Sequence, residues 1–273
     1  MGLFDRFSKP KWEHKKPEVR IEGIKELDDQ NILIDIAKND SASGVRKAAM
    51  GKINDQSVLI DIAKNHEDPD VRYNALEFIN DQSVIIDVAK NDEDDYVRAC
   101  ATNIIDDMSV IEEIAKTDSF WKTRAIAVTK ITDESVLIDI YKNDSRDNVR
   151  ATAAARITDE SVLVDIAKND SNGLISAEAM DKLDDQDLFK DIAKNHKEAS
   201  GRGVAMEKIT DSSFLSEIAY SEPDEMICSV AVSHIEDKAL LEDIAENHPS
   251  PTIQMLAKSK MDESTLKVTV SRD

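Results

Sequence analysis

Apolar residues in this chain fall in clusters with helical spacing, and residues 55–79 show the pattern. The first predicted helix has an apolar face of four residues: Val58, Leu59, Ile62 and Ala63. Asp61 and Lys64 lie on the opposite face as an i, i+3 ion pair, and Asp55 caps the helix. Near-copies of this segment, SVLIDIAKNH, stand at 31–40, 83–92, 135–144 and 161–170.

A second predicted helix follows in the same stretch. It begins at Pro69, whose missing N–H suits a first helical turn. Its apolar face consists of Val71, Ala75, Leu76 and Ile79. Helices of about ten residues are not stable alone in water, so each must bury its apolar face against a neighbouring unit. This requirement predicts a solenoid of stacked helix pairs.

The pattern returns every 26 residues, ten times, without insertion or deletion. One column of the repeat holds arginine in seven units: Arg20, Arg46, Arg72, Arg98, Arg124, Arg150 and Arg202. Three residues later a column holds alanine in nine units: Ala49, Ala75, Ala101, Ala127, Ala153, Ala179, Ala205, Ala231 and Ala257. Small side chains let helix backbones approach closely, so the alanine column predicts the contact between helices.

At DEDDYVRACATNIID (92–106) and HEDPDVRYNALEFIND (66–81) the units resemble HEAT-like repeats, most closely the compact phycobilisome-lyase type. The resemblance implies an all-α, right-handed α-solenoid (superhelix) over residues 11–266, with an N-terminal segment 1–10 and a tail 267–273. In that family an Asp and an Arg six residues apart bond along the stack. The matching pairs here are Asp40 and Arg46, Asp92 and Arg98, Asp118 and Arg124, and Asp144 and Arg150. Ser176, Cys228 and Gln254 replace the arginine in three late units.

The net charge of −21 limits the classes of partner. Such an acidic surface repels nucleic-acid phosphates and anionic membranes. Nucleic-acid binding is therefore disfavoured. No apolar run approaches the roughly 18 residues of a membrane span, and the start, MGLFDRFSKPKW, does not have the pattern of a secretory signal. We therefore expect a cytoplasmic protein that is monomeric by default.

Neither a metal site nor an active site is predicted. His14, His66, His196 and His248 all stand six residues before the arginine column, but on separate units too far apart to share a metal. Known catalytic motifs are missing, and the many carboxylates fall in repeated columns. We expect no enzyme activity and no cofactor.

The predicted partner site lies on the second helices, which line the concave face in HEAT-like arrays. Six residues after the arginine column stand two apolar residues, Phe78 and Ile104, with Tyr73 one turn away. The same row continues with four cations: Lys130, Arg156, Lys182 and Lys208. Ordinary surface lysine is the alternative interpretation of the row.

Aromatic residues interrupt the repeat at DSFWKTR (118–124). Phe120 and Trp121 there are either a local plug or an anchor for a partner, because tryptophan is enriched at binding hot spots. Trp12 is predicted to cover the apolar edge of the first unit. MGLFDRF is either an amphipathic hook or frayed, and the tail LKVTVSRD alternates like a strand.

The pattern favours a non-enzymatic scaffold or adaptor that binds another protein or an extended peptide. Two alternatives stay open. One is a bilin lyase or chaperone, which the family resemblance implies. The other is a nucleic-acid-binding array, which the cationic row permits and the net charge opposes.

Overall fold

The structure is a computed structural model that describes the backbone of residues 9–270 and the side chains of residues 9–262. Within that range the chain forms a short 3₁₀ helix, Lys11–Glu13, and nineteen α-helices, with no strand. The α-helices, numbered α1 to α19 in chain order, are Pro17–Lys25, Gln30–Asn39, Ser43–Met50, Gln56–Asn65, Pro69–Leu76, Gln82–Asn91, Asp95–Asn103, Met108–Thr117, Trp121–Lys130, Glu134–Asn143, Asp147–Ala154, Glu160–Asn169, Gly173–Asp181, Gln186–Asn195, Ala199–Lys208, Ser212–Ser221, Glu225–His234, Lys238–Asn247 and Pro251–Val270.

The helices form two compact units, Met1–Val136 and Leu137–Asp273, with the division inside α10. The even-numbered helices are the first helices of the repeats. Eight of them, α2, α4, α6, α8, α12, α14, α16 and α18, pack against the second helix that follows. Second helices of consecutive repeats also pack on each other, from α1 to α9 in one unit and from α11 to α19 in the other. Tandem helix pairs that pack in sequence confirm the predicted all-helical repeat solenoid.

The structure bears on the prediction for one end of the chain only. The alternation in LKVTVSRD suggested a strand, but the backbone of α19 stays helical to Val270. The predicted hook MGLFDRF lies outside the described residues.

Aspartates begin the first helices, as predicted. Asp55 Oδ1 accepts the backbone N–H of Ser57 at 2.9 Å. A hydrogen bond from the Ser57 hydroxyl, together with this backbone bond, lowers the pKa of Asp55. The same capping bond is made by Asp29, Asp55, Asp81, Asp107, Asp159, Asp185, Asp211 and Asp237. Pro69 occupies the first turn of α5. Short helices therefore start at fixed points of the repeat.

The core lies between the helix layers. Leu59, Ile62 and Ala63 are buried as predicted, whereas Val58 is only half-buried. The alanine column is buried in every described repeat that has it. In the first unit of the pattern Gly23 takes its place because the backbone of Trp12 lies 2.6 Å from where a Cβ would stand. The column therefore marks the closest approach between helices.

Ion pairs on the first helices join consecutive repeats. The predicted pair within one helix, Asp61 with Lys64, is wrong. Lys38 reaches Asp61 at 3.4 Å and Lys64 reaches Asp87 at 2.6 Å. Asp61 instead accepts the amide of Asn65, one turn on, at 3.0 Å. The copied charges therefore connect neighbouring first helices in the stack.

A glutamine ladder adds a second connection that the sequence did not reveal. Gln56 Nε2 donates to the carbonyl of Phe78 at 3.0 Å, and its Oε1 accepts the N–H of Asn80 at 3.3 Å. The same residue type makes the same bonds at Gln30, Gln82 and Gln186. Each glutamine joins the start of a first helix to the turn that precedes the next first helix.

Candidate functional site

Lysines of the predicted cationic row lie against the end of the preceding second helix. Lys130 Nζ donates to the carbonyl of Asn103 at 2.8 Å. Lys182 Nζ donates to the carbonyls of Ala154 and Ala155 at 3.0 and 2.7 Å. The last carbonyls of a helix carry partial negative charge and lack partners within it, so these ammonium groups cap the helix from the next repeat. The row contributes to stacking, and its role in partner binding stays a prediction.

The other two cations of the row have different surroundings. Lys208 Nζ pairs with Asp181 Oδ1 at 2.5 Å and lies 6.0 Å from the ring centroid of Phe189. Arg156 is exposed. At Lys182, partial burial lowers the pKa of the ammonium group. The row is therefore not a uniform cationic stripe.

The predicted apolar part of the row is half-buried. Phe78 packs over Gly51, where an added Cβ would lie 3.3 Å from the ring. Lys47 Nζ lies 5.1 Å from the ring centroid of Tyr73. Ile104 ends α7 and is also half-buried. Much of each of these side chains is therefore already in contact with its own unit.

Phe120 and Trp121 form an aromatic pair at the start of α9. Their ring centroids are 6.2 Å apart at a tilt of 56°. Lys122 Nζ lies 5.9 Å from the centroid of Phe120 and 5.7 Å from that of Trp121. Both rings are half-buried. The arrangement is compatible with the plug and with the anchor.

Trp12 lies at the edge of the first unit, as predicted. It lines a cavity of about 590 Å³ together with the apolar side chains of Ile32 and Ile36. The indole is half-buried there.

The arginine ladder is present, but its pairing differs from the family pattern. The guanidinium of Arg98 donates through Nη1 to the main-chain carbonyl of Asp92 at 3.0 Å. The carboxylate of Asp92 is bound instead by Arg72 of the preceding repeat, at 2.8 Å for both bonds. Arg46, Arg124 and Arg150 likewise donate to the carbonyls of Asp40, Asp118 and Asp144. In each of these four Asp and Arg pairs, the arginine therefore binds the main-chain carbonyl of the aspartate and not its carboxylate.

Carboxylate pairing runs twenty residues forward, to the next repeat. Pairs of this kind are formed by Arg20 with Asp40, Arg72 with Asp92, Arg98 with Asp118, and Arg202 with Glu222. At Arg72 and Asp92 both side chains are only 4% exposed. A buried, two-bond pair of this kind fixes both the distance and the orientation of consecutive repeats.

At two joints histidine replaces the carboxylate and another residue replaces the arginine. Ser176 Oγ donates to the carbonyl of Ala167 at 2.8 Å, and His196 stands twenty residues after Ser176. The ring of His196 occupies space over Gly201, where an added Cβ would collide with it. His196 Nε2 is buried and has no hydrogen-bond partner among the described residues.

The second such joint involves Cys228 and His248. Cys228 Sγ lies 3.1 Å from the carbonyl of Glu222, the acceptor that an arginine would use. His248 Nε2 lies 2.9 Å from the carbonyl of Ala219, and Nδ1 accepts the N–H of Ser250, so Nε2 is the donor. Burial raises the pKa of the Cys228 thiol. Cys228 is a free cysteine, as is Cys100 of α7.

Tyr141 changes the ladder at one further joint. Its hydroxyl donates to Asp170 Oδ2 at 2.7 Å, and burial with this bond raises the pKa of the phenol. Arg150 pairs with the exposed carboxylate of Asp147 at 2.7 Å. Other repeats have alanine at the position of Tyr141.

Three large apolar side chains are exposed on the second helices of the described residues 137–262: Leu174, Met226 and Met255, the last at 70% in α19. Leu174 is 82% exposed and Met226 is 78% exposed. Both stand two residues before the arginine column, in the first turns of α13 and α17. Ser200 holds the position between them on α15, and its hydroxyl lies against Gly173. The sequence signal was an apolar residue where other repeats have Asp70 or Asn148, and it was missed.

The described residues contain neither a metal-binding cluster nor a membrane-spanning helix. No group of three or more His, Cys, Asp or Glu side chains there is placed to hold a metal ion. No described helix has both the length and the apolar character needed to cross a bilayer.

Fold and contacts define the class: a helical-repeat protein. No protein-family model matches the chain, and no curated protein is significantly similar to it. A solved structure described as a leucine-rich repeat variant with a novel repetitive protein structural motif is similar, with 17% identity and a TM-score of 0.48 over 95% of this chain and 93% of the other. The class assignment rests on the helices and their packing.

Proposed function

We propose that the protein is a non-enzymatic protein-binding scaffold, and that a partner segment docks along the first turns of α13, α15 and α17. The observation that carries the proposal is the exposure of Leu174 and Met226, at 82% and 78%, at a position of the repeat where Tyr96 of the other unit is also exposed, at 64%. Large apolar side chains in solvent on a folded repeat are costly to hydrate and favour contact with a partner.

The spacing of these side chains suits an extended partner. Consecutive second helices α13, α15 and α17 pack in order. Packed helices lie about 8–10 Å apart, so Leu174 and Met226 are about 20 Å from each other. A helix of roughly 13 residues or a strand of roughly six spans that distance.

The charge around the two side chains selects the partner's chemistry. Glu178 follows Leu174 by one helical turn, Glu225 precedes Met226, and the capping residue of α17 is Asp224. A segment with apolar side chains flanked by lysine or arginine therefore complements this surface, in keeping with the net charge of −21.

The repeated columns support the same division of roles. The arginine, glutamine and lysine columns bind the next or preceding repeat through main-chain and side-chain contacts. Positions that every repeat shares are thus occupied in stacking, which leaves recognition to positions that differ between repeats. The HEAT-like assignment and a cytoplasmic location stay predictions within this proposal.

Paired substitutions test the proposal. Leu174→Glu with Met226→Glu should remove the captured partner from affinity purification followed by quantitative mass spectrometry. The control, Asn148→Glu with Thr252→Glu, adds the same charge at the same column of the same unit. It should retain the partner. Equal partner recovery by both variants, with unchanged circular dichroism, would refute the docking surface.

A further inference from the structure

We propose that the joint between Arg46 and His66 is a binding site for a carboxylate group supplied from outside the repeat array. This joint lies in the unit Met1–Val136 and is separate from the docking surface around Leu174. It is the place where the ladder keeps its arginine but has no carboxylate twenty residues on.

Complete joints show how the guanidinium is used. Arg72 Nε and Nη2 donate to the two oxygens of Asp92 at 2.8 Å each. Its Nη1 donates backwards to the carbonyl of His66 at 2.8 Å. The Nη1 bond thus fixes the orientation of the group, and the edge formed by Nε and Nη2 faces the next repeat. This edge fits the two oxygens of a planar carboxylate.

Arg46 has the same orientation and an unfilled edge. Its Nη1 donates to the carbonyl of Asp40 at 3.0 Å, the bond that the other ladder arginines make. The residue is only 7% exposed, and its Nε has no hydrogen-bond partner among the described residues. A buried N–H without an acceptor destabilises the folded state. This destabilisation is relieved when an acceptor arrives.

His66 contributes a donor rather than an acceptor. Its Nδ1 accepts the N–H of Asp68 at 3.1 Å, so the ring proton is on Nε2. Nε2 has no partner among the described residues. This joint therefore presents N–H groups from both Arg46 and His66. In the joints that have an acidic residue, a carboxylate with two acceptor oxygens stands at the position of His66.

A cavity of about 420 Å³ between the repeats is lined by His66 but not by Arg46. Its walls are Lys38, Asp61, Ile62, Asn65, His66 and Glu67. Asp61 is already bonded to Asn65 and to Lys38, at 3.0 and 3.4 Å. Because Arg46 lies outside this lining and His66 is half-exposed, we infer that a ligand reaches Arg46 when the ring of His66 moves. The acidic surface opposes any anion, so we expect millimolar affinity for a small carboxylate.

Nuclear magnetic resonance of the arginine Nε–H groups tests the site on the full chain. Formate and acetate are titrated against sodium chloride at equal ionic strength, with phosphate as a tetrahedral comparison. N-acetylglycine and its amide then separate a peptide carboxylate from a peptide without one. We expect a saturable shift of the Arg46 resonance with formate, acetate and N-acetylglycine, and none with the amide. A stronger response to phosphate than to acetate would contradict the carboxylate assignment.

Two substitutions make the test reciprocal. His66→Asp supplies the missing carboxylate, so it should reduce the response of Arg46 at least about tenfold and raise the melting temperature. Asp92→His opens the equivalent joint, so Arg72 should acquire the response. Equal shifts in the wild type and His66→Asp, or no shift of Arg46 with any carboxylate, would overturn the proposal. Neither outcome bears on the surface around Leu174, because neither substitution lies in that unit.

Discussion

Arg72 and Asp92, twenty residues apart, are joined by two hydrogen bonds of 2.8 Å between consecutive repeats. Each side chain is only 4% exposed. The hydrogen bond to Asp92 raises the pKa of the Arg72 guanidinium further above its already high value, so the guanidinium stays charged. This joint shows how the repeats hold a fixed spacing, because a two-bond pair tolerates little rotation or sliding.

Breaking this pair from one side should cost more than removing it. Arg72→Met leaves the carboxylate of Asp92 buried without its partner, and we expect a loss of about 3–5 kcal/mol of unfolding free energy. The double variant with Asp92→Leu should recover part of that loss. Urea denaturation of the single and double variants measures the coupling. Lys238→Met, at an exposed pair with Glu242, is the control and should change little. A fully additive cycle would contradict a coupled joint.

The alanine column should not accept larger residues. Ala75 in α5 has no exposed surface, so Ala75→Leu should destabilise the protein by about 1–3 kcal/mol through overpacking. Ala48→Leu, at a half-exposed position of α3, should stay within about 0.5 kcal/mol of the wild type. Equal stabilities of the two variants in urea would show that the column is not the close contact.

Gly201 should be replaceable only together with His196. A Cβ at Gly201 collides with the imidazole of His196, so Gly201→Ala should lower the melting temperature. Adding His196→Ala should restore much of the loss, because the smaller side chain leaves the space free. Gly203→Ala, in the same helix, meets only Ile227 Cδ1 at 3.3 Å and should be tolerated. A harmless Gly201→Ala would contradict the predicted collision.

Tyr220 should titrate late in base. Burial, with the hydrogen bond to Asp243, raises the pKa of its phenol to about 12 from 10.0. Because the folded state holds this proton more tightly, its contribution to stability is complete below pH 10.0 and is lost as the pH rises toward about 12. The absorbance of tyrosinate is measured against pH in the wild type and in Tyr220→Phe. The difference between the two curves should have its midpoint near pH 12. A midpoint at the ordinary value would contradict the prediction.

Most of the fold could be predicted from local rules. The 26-residue period, the Asp55 cap and the buried Ala75 all depend on spacing and residue type within one unit. Contacts between repeats could not be predicted in this way. Arg98 bonds the main chain of Asp92 and the side chain of Asp118, and only the stacking geometry separates those two partners.

A signal for the joints was nevertheless present in the sequence. Ser176 and His196 depart from the consensus together, twenty residues apart, and so do Cys228 and His248. Paired departures at a fixed offset indicate contact between those columns. For Lys130 the charge was visible, but its bond to the carbonyl of Asn103 depends on where the preceding helix ends.

The central claim is that copied positions build the stack and that exposed variable positions bind the partner. Site-specific photocrosslinking tests it most directly, with a photoreactive residue placed at Leu174 or Met226 in one set and at Asp165 or Lys168 in the other. The account predicts covalent adducts to the same partner protein from Leu174 and Met226, and none from the copied, exposed positions of α12. Adducts from Asp165 and Lys168 with none from Leu174 or Met226 would contradict it.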